Sequence, residues 1–131
     1  MKHCLIVILI LLSYCKTFSQ NDSMIIRISE IEIDPGYLTE YKAVLKEESR
    51  ASVQLEPGVI AIYPMYQKEH PTQIRILEIY ASRQAYESHL KTPHFLKYKT
   101  TTFKMVKFLK LVDMEAIDRA AMSKIFGKLK D

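Results

Sequence analysis

Apolar residues dominate four short segments of the chain, which is typical of buried β-strands. We predict strands over residues 24–34, 59–68, 73–81 and 108–112. The first three carry apolar side chains on both faces rather than on one, so each needs cover on two sides. Pro64 lies inside the second segment and cannot donate a hydrogen bond to a neighbouring strand, which predicts an edge position or a bulge there.

Between these segments the apolar residues recur at the three-to-four spacing of amphipathic helices. The first helix is predicted over residues 37–55. A short piece over residues 82–90 begins with a capping serine, and a second piece over residues 92–106 begins with a capping threonine followed by proline. A last helix is predicted over residues 115–129.

The predicted order β-α-β-β-α-β, with one further helix at the C-terminus, is that of a ferredoxin-like α+β fold. This topology places both helices on one face of an antiparallel sheet, and the other face of such a sheet is usually polar. Because the strands are apolar on that face too, the simplest cover is a second copy of the chain, sheet against sheet. We therefore predict a homodimer.

The first nineteen residues have the three parts of a secretory signal peptide. Lys2 precedes an apolar run from Cys4 to Leu12, and Thr17 and Ser19 are the small residues expected before a cleavage site. The run is too short for a transmembrane helix, which needs ~20 apolar residues. We expect an exported protein, periplasmic or secreted, with no membrane attachment after cleavage. A lipoprotein anchored through Cys15 is a less favoured alternative, because the residue before it is a tyrosine and not a small residue.

The chain of 131 residues has room for one ordinary domain. We divide it into a signal peptide (1–19), a ferredoxin-like domain (20–113) and a C-terminal helical extension (114–131). Both cysteines precede residue 20, so the mature domain would have no disulfide and no cysteine nucleophile. Loss of Lys2 and Lys16 leaves seventeen basic residues against fifteen acidic ones, a net charge of +2, which does not indicate a nucleic-acid partner.

Three short motifs follow one another in the order and spacing of a known family. They are Glu56-Pro57-Gly58, Glu78-Ile79-Tyr80 and His89-Leu90-Lys91-Thr92-Pro93-His94-Phe95 with Tyr98. In these motifs the chain resembles antibiotic-biosynthesis-monooxygenase domains, including quinol-monooxygenase-like proteins of bacteria, over roughly residues 25–112. The resemblance implies a dimeric α+β barrel. It also implies oxidation of a small electron-rich aromatic substrate, a quinol or polyphenol, by molecular oxygen without a metal or flavin cofactor.

This chemistry needs an apolar cavity, a base and hydrogen bonds that hold a phenolate. A deprotonated hydroquinone is itself the electron donor, and a chain with three glycines has no dinucleotide-binding G-x-G-x-x-G loop, so no cofactor is expected. Histidine is the natural base because its unperturbed pKa of ~6.5 lies near neutral pH. The predicted catalytic residues are His89, as the base or a hydrogen-bond partner of the substrate, and secondarily His94. The predicted substrate-binding residues are Tyr66, Glu78, Tyr80 and Tyr98.

Structural roles are the alternatives for several of these residues. His94, at the start of a helix, could simply bond a neighbouring backbone carbonyl, and the strand tyrosines could be core or interface aromatics. Glu78 would then pair with Arg27, Arg75 or a histidine, because a buried charge without a partner is costly.

No metal site is predicted, because His89 and His94 are five residues apart and miss the i, i+4 spacing that places two ligands on one helix face. Two other functions stay open beside the monooxygenase. One is a non-catalytic protein of the envelope that binds small molecules, and the other is an isomerase that uses His89 to move protons. Oxygen uptake and product formation would separate the three.

Overall fold

The computed structural model describes residues 23–129, so the predicted signal peptide and Cys15 lie outside the described residues. Four strands and four helices follow one another in the described part of the chain. They are β1 (Ile25–Ile33), α1 (Leu38–Leu55), β2 (Val59–Tyr66), β3 (Gln73–Tyr80), α2 (Arg83–His89), α3 (Pro93–Thr102), β4 (Val106–Met114) and α4 (Ala121–Phe126). None of the helices in residues 23–129 is both long and apolar enough to cross a membrane.

The four strands form one antiparallel sheet in the order β2-β3-β1-β4, with the helices inserted between them as in the ferredoxin-like fold. The predicted α+β fold is therefore confirmed. β2 lies at an edge of the sheet, as Pro64 predicted, but the irregularity in its pairing falls between Val59 and Ala61 rather than at the proline.

The boundary between α3 and β4 differs from the prediction. α3 ends at Thr102 and not near residue 106, because its last turn contains three threonines, whose branched side chains are poor helix formers. A 3₁₀ turn over Phe103–Met105 then buries Met105, whose carbonyl accepts a hydrogen bond from the backbone N–H of Asp34 at 2.9 Å. β4 therefore starts earlier and ends later than predicted.

The C-terminal helix is also shorter than predicted. It covers Ala121–Phe126 instead of residues 115–129, and the apolar residues that suggested the longer helix, Ile117, Ile125 and Leu129, are exposed. An apolar period predicts a helix only where a neighbouring surface buries the stripe, and the rest of residues 23–129 does not do so.

The core lies between the helices and one face of the sheet, which we call the inner face. It consists mainly of isoleucines from β1, β2 and β3 together with residues of α1 and the turn before β4. Its buried members are Ile31, Ile33, Tyr41, Leu45, Val59, Ile62, Ile74, Ile76, Tyr80 and Met105.

The opposite face of the sheet, the outer face, carries two cross-strand rows that are wholly apolar. Each row takes one residue from every strand in the order of the sheet. The first row, from β2 to β4, consists of Tyr63, Leu77, Ile28 and Val112. The second row, in the same order, consists of Ala61, Ile79, Ile26 and Met114. At the two edges of the sheet, Tyr63 and Met114 are exposed. The strands are thus apolar on both faces, as predicted.

Candidate functional site

Three polar residues project from α1 at intervals of four. Glu48 and Ser52 continue the buried stripe that Tyr41 and Leu45 begin, and Glu56 caps the end of the helix. The Ser52 hydroxyl lies 2.8 Å from Glu48 Oε1 and 2.9 Å from the Glu48 carbonyl oxygen, so it holds the carboxylate in place. The C-terminal half of α1 therefore delivers two carboxylates to one region of the interior.

His89 is the last residue of α2 and lies between these carboxylates. Its Nδ1 is 3.0 Å from Glu56 Oε2, and its Nε2 is 3.5 Å from Glu48 Oε1. The residue is only 2 % exposed. Both ring nitrogens of His89 are thus occupied by carboxylate contacts.

His94 reaches the same carboxylate from the next helix. It is the second residue of α3, and its Nε2 lies 2.6 Å from Glu56 Oε2. Thr92 links the two helices, because its hydroxyl donates to the His89 carbonyl at 2.8 Å and accepts from the Phe95 N–H at 3.3 Å. The capping residue that the sequence shows therefore brings both histidines to Glu56. We call Glu48, Glu56, His89 and His94 the Glu–His cluster.

Burial dominates the electrostatics of the Glu48 carboxyl. Loss of water raises the pKa of Glu48, whereas the hydrogen bond from Ser52 and the nearby histidines act in the opposite direction.

Aromatic rings enclose the cluster on its inner side. The centroid of the His89 ring lies 4.8 Å from that of Phe95 and 5.4 Å from that of Tyr80. The ring of Tyr80 in turn packs edge-on against Tyr86 at 5.2 Å. The histidine thus lies in an apolar aromatic environment in which charges interact strongly.

Glu78 lies on the inner face of β3, and its partners are hydroxyls. Ser29 Oγ donates to Glu78 Oε1 at 2.5 Å, and Tyr80 donates to Glu78 Oε2 at 2.8 Å. The predicted ion pair with an arginine or a histidine is wrong. Arg75 points to the outer face, and Arg27, opposite Glu78 in the sheet, donates to Asp113 at 2.7 Å instead.

Tyr98 of α3 forms a pair with Tyr41 of α1, with 2.7 Å between the two hydroxyl oxygens. Burial raises the pKa of Tyr98 to about 12, and it raises the pKa values of Tyr41 and Tyr80 further. All three phenols are therefore protonated at neutral pH and can donate hydrogen bonds.

Tyr66, the remaining predicted substrate-binding residue, lies away from the cluster. It lines a cleft of about 530 Å³ between α1 and β2, with the Lys42 ammonium 3.5 Å from the centre of its ring. The walls of the cleft are largely apolar, and Lys42, Lys46 and Arg50 supply positive charge along α1. None of the four members of the Glu–His cluster lines this cleft.

A second depression adjoins the cluster at Glu56. This groove of about 390 Å³ lies where the end of α1 and the start of β2 meet α2. Its wall includes Glu56, Gly58, Ala85, Ser88 and Thr92. Glu56 thus belongs both to the cluster and to a groove that is open to solvent.

Most predicted site residues therefore converge, and two partners were missed. His89, His94, Glu78, Tyr80 and Tyr98 all lie at or beside the cluster, whereas Tyr66 lines the separate cleft between α1 and β2. The missed residues are Glu48 and Glu56. The position of Glu48, four residues before Ser52 on the stripe that continues from Tyr41, is a signal that the sequence contains.

His89 and His94 lie on two different helices, so the i, i+4 spacing rule used to predict no metal site does not apply to them. His89 ends α2 and His94 begins α3, so their separation along the chain does not set the distance between their rings. One ligand atom each from Glu56, His89 and His94 lies within 4.8 Å of the others.

Residues 24–101 match the family model described as antibiotic biosynthesis monooxygenase. A crystal structure of a candidate antibiotic biosynthesis monooxygenase from Bacteroides thetaiotaomicron is 48% identical to the chain, with a TM-score of 0.74, over 75% of this chain and 93% of that one. No curated protein matches the chain.

Two further solved structures are similar. A candidate monooxygenase from Lactobacillus acidophilus is 26% identical, with a TM-score of 0.70, over 72% of this chain and 45% of that one. A candidate antibiotic biosynthesis monooxygenase from Nitrosomonas europaea is 20% identical, with a TM-score of 0.69, over 73% of this chain and 92% of that one, and supports the fold alone.

Proposed function

Because the chain belongs to the antibiotic biosynthesis monooxygenase family, we propose that it oxidises a small electron-rich aromatic compound of the quinol or polyphenol class with molecular oxygen and without a bound cofactor. The observation that carries this proposal is the Glu–His cluster, a buried set of proton-accepting groups against aromatic rings. Removal of a proton is the step by which a quinol becomes a strong electron donor.

The balance of the reaction requires no external reductant. A hydroquinone with a free ring position reacts with one O₂ to give a hydroxyquinone and one water. One oxygen atom enters the ring, the other leaves as water, and the substrate supplies all four electrons. The protein has to take up the phenolic proton and hold the phenolate while O₂ reacts.

The Glu56–His94 pair is the proposed proton acceptor. Their side chains keep 12% and 16% of their surface exposed, whereas His89 is almost fully enclosed. A phenol in the groove would contact this pair through Glu56, the member of the pair that lines the groove. His89, held by Glu48 and Glu56, is then a positioning residue rather than the base itself.

Oxygen uptake tests the proposal. The purified protein is supplied with a panel of hydroquinones under ¹⁸O₂, and we expect catalysed uptake with one labelled oxygen atom in the product. Glu56→Gln and His94→Gln should each lower kcat by ~10²–10⁴-fold, the usual contribution of a general base. His70→Gln, a change at an exposed turn, is the matched control and should have no effect. No uptake above the uncatalysed rate, or full activity in Glu56→Gln, would reject the proposal.

Export and dimerisation are part of the same proposal. The leader pattern of residues 1–19 supports export to the periplasm or beyond, and the apolar outer face of the sheet supports a homodimer. Cell fractionation followed by N-terminal sequencing tests the first. A chain that keeps its first nineteen residues and stays in the cytoplasm would contradict export.

A second candidate function is binding without catalysis, which the cleft between α1 and β2 favours. Its apolar walls and the cations of Lys42, Lys46 and Arg50 suit an aromatic or aliphatic carboxylate. This function predicts ligand-dependent thermal stabilisation and recovery of an unaltered ligand, as measured by mass spectrometry. A chemically altered ligand would exclude it.

A further inference from the structure

We propose that Glu56, His89 and His94 form a binding site for a divalent first-row transition-metal ion, for which Zn²⁺ is the probe. The three ligands come from the end of α1, the end of α2 and the start of α3, and one ligand atom of each lies within 4.8 Å of the others. Two imidazole nitrogens and one carboxylate form a ligand set that such ions bind in proteins.

The separations of the ligand atoms fit an ion with little movement. Bonds from zinc to nitrogen or carboxylate oxygen are ~2.0–2.2 Å long, so two ligands of one ion lie at most about 4.2 Å apart. Glu56 Oε2 already lies 3.0 Å from His89 Nδ1 and 2.6 Å from His94 Nε2. Small rotations of the side chains would therefore place all three atoms around one centre.

The surroundings of His89 are those of a metal ligand. When Nδ1 binds an ion, Nε2 carries the remaining ring proton, and the carboxylate oxygen Glu48 Oε1, 3.5 Å from Nε2, is the group placed to accept a hydrogen bond from it. Ser52 in turn fixes Glu48 through a 2.8 Å hydrogen bond. A carboxylate behind a histidine ligand orients the ring and strengthens it as a donor to the metal.

The ion pairs of the two carboxyl groups are compatible with a cation at this place. In residues 23–129, the ion pairs of Glu48 and Glu56 are formed with His89 and His94 alone. No lysine or arginine of the described residues pairs with either carboxyl group, so a bound cation would have no positive side chain to displace. Two imidazole nitrogens suit a first-row transition-metal ion better than Mg²⁺ or Ca²⁺, which prefer oxygen ligands.

The ion would also regulate the proposed oxygenase, a consequence that rests on the proposed function. Glu56 and His94 would then bind the metal through the atoms that accept the phenolic proton. We therefore expect Zn²⁺ to suppress oxygen uptake with hydroquinones.

Calorimetric titration of the purified, chelator-treated protein tests the site. We expect one Zn²⁺ per chain and no binding of Mg²⁺ at the same concentration. Glu48→Gln should weaken Zn²⁺ binding by ~10–100-fold, as expected for a residue behind a ligand, and Glu56→Gln and His94→Gln should weaken it by more. His70→Gln is the matched control and should bind Zn²⁺ as the unaltered protein does.

Absence of stoichiometric Zn²⁺ binding would overturn the proposal. So would a Zn²⁺ affinity of Glu56→Gln and His94→Gln that equals that of the unaltered protein. Thermal melting in chelator shows whether each variant folds. Cobalt substitution is a test on the unaltered protein and needs no variant. With Co²⁺ bound, the imidazole protons of two histidines should give paramagnetically shifted NMR signals. Signals from fewer than two histidines would also overturn it.

The two proposals can fail separately. Zn²⁺ binding without any oxygen uptake would reject the oxygenase and keep the metal site. Oxygen uptake without Zn²⁺ binding would reject the metal site and keep the oxygenase.

Discussion

The hydroxyls of Tyr41 and Tyr98 lie 2.7 Å apart, and Tyr98 is the partner that the described structure gives to the Tyr41 hydroxyl. Tyr98→Phe leaves that hydroxyl buried without a partner, so we expect the free energy of unfolding to fall by ~1–3 kcal/mol. Denaturant unfolding measures this change in the free energy of unfolding. Tyr63→Phe, at an exposed tyrosine, removes the same atom and should change nothing. Equal stability of both variants would contradict a structural role for the Tyr98 hydroxyl.

Arg27 and Asp113 make the stability depend weakly on pH. The hydrogen bond from Arg27 lowers the pKa of Asp113 below its ordinary value. The stabilisation that a lowered carboxyl pKa provides is fully present above the pKa of an aspartate in the unfolded chain, ~3.9. It is lost as the pH falls through the pKa of Asp113 in the folded protein. Because the Asp113 side chain is 71% exposed, we expect Asp113→Asn to cost at most ~1 kcal/mol at pH 7. Urea unfolding should show this difference disappearing in acid, and a difference that persists there would contradict it.

The packing of β2 on α2 depends on the absence of a side chain at Gly58. A Cβ at that position would lie 2.5 Å from the Cβ of Ala85. We expect Gly58→Ala to destabilise the fold by ~1–3 kcal/mol, the usual cost of overpacking, and to displace the helix that carries His89. Ala85→Gly costs ~1 kcal/mol in helix propensity but removes the clash. A double-mutant cycle by urea unfolding should therefore show favourable coupling, and strict additivity would exclude this contact.

The elements that could be predicted from the sequence are those whose apolar period the structure buries. α1 and the first three strands agree with the prediction to within about two residues at each end, because their isoleucines and Tyr41 enter the core. The end of α3 and the length of α4 could not be read from period alone. The end of α3 depends on the threonines of its last turn together with the burial of Met105 beside Asp34. The length of α4 depends on a packing surface that residues 23–129 do not provide.

The residues of the site can also be divided into those that the sequence could predict and those that it could not. His89 and His94 could be singled out by residue type and motif, and Glu48 could have been found by its place on the buried stripe of α1. The role of Glu56 depends on contacts with residues 33 and 38 positions further along the chain. Such contacts arise only when the ends of three helices meet over the sheet, which a local pattern does not encode.

At the scale of the whole molecule, the two faces of the sheet differ in their cover. The helices bury the inner face along β1, β2 and β3, but Leu109 and Leu111 of β4 stay exposed on that face. The two apolar rows of the outer face end in the exposed side chains of Tyr63 and Met114. The next row across the sheet consists of Met65, Arg75, Glu30 and Lys110, so three charged residues border the apolar area on that side. An apolar centre with a polar rim is the usual anatomy of a protein interface.

A homodimer through the outer face predicts a specific response to charge. Met114→Glu would place a carboxylate in a sealed apolar contact, where an unpaired charge costs several kcal/mol, so the dissociation constant should rise by at least ~100-fold. Leu96→Glu on α3 is the matched control, because Leu96 is 49% exposed and Met114 47%, yet Leu96 lies outside the sheet. Sedimentation velocity should show two chains per particle for the unaltered protein and for Leu96→Glu, and one for Met114→Glu. A monomeric unaltered protein would instead mean that the apolar rows face water, which removes the physical basis for the dimer.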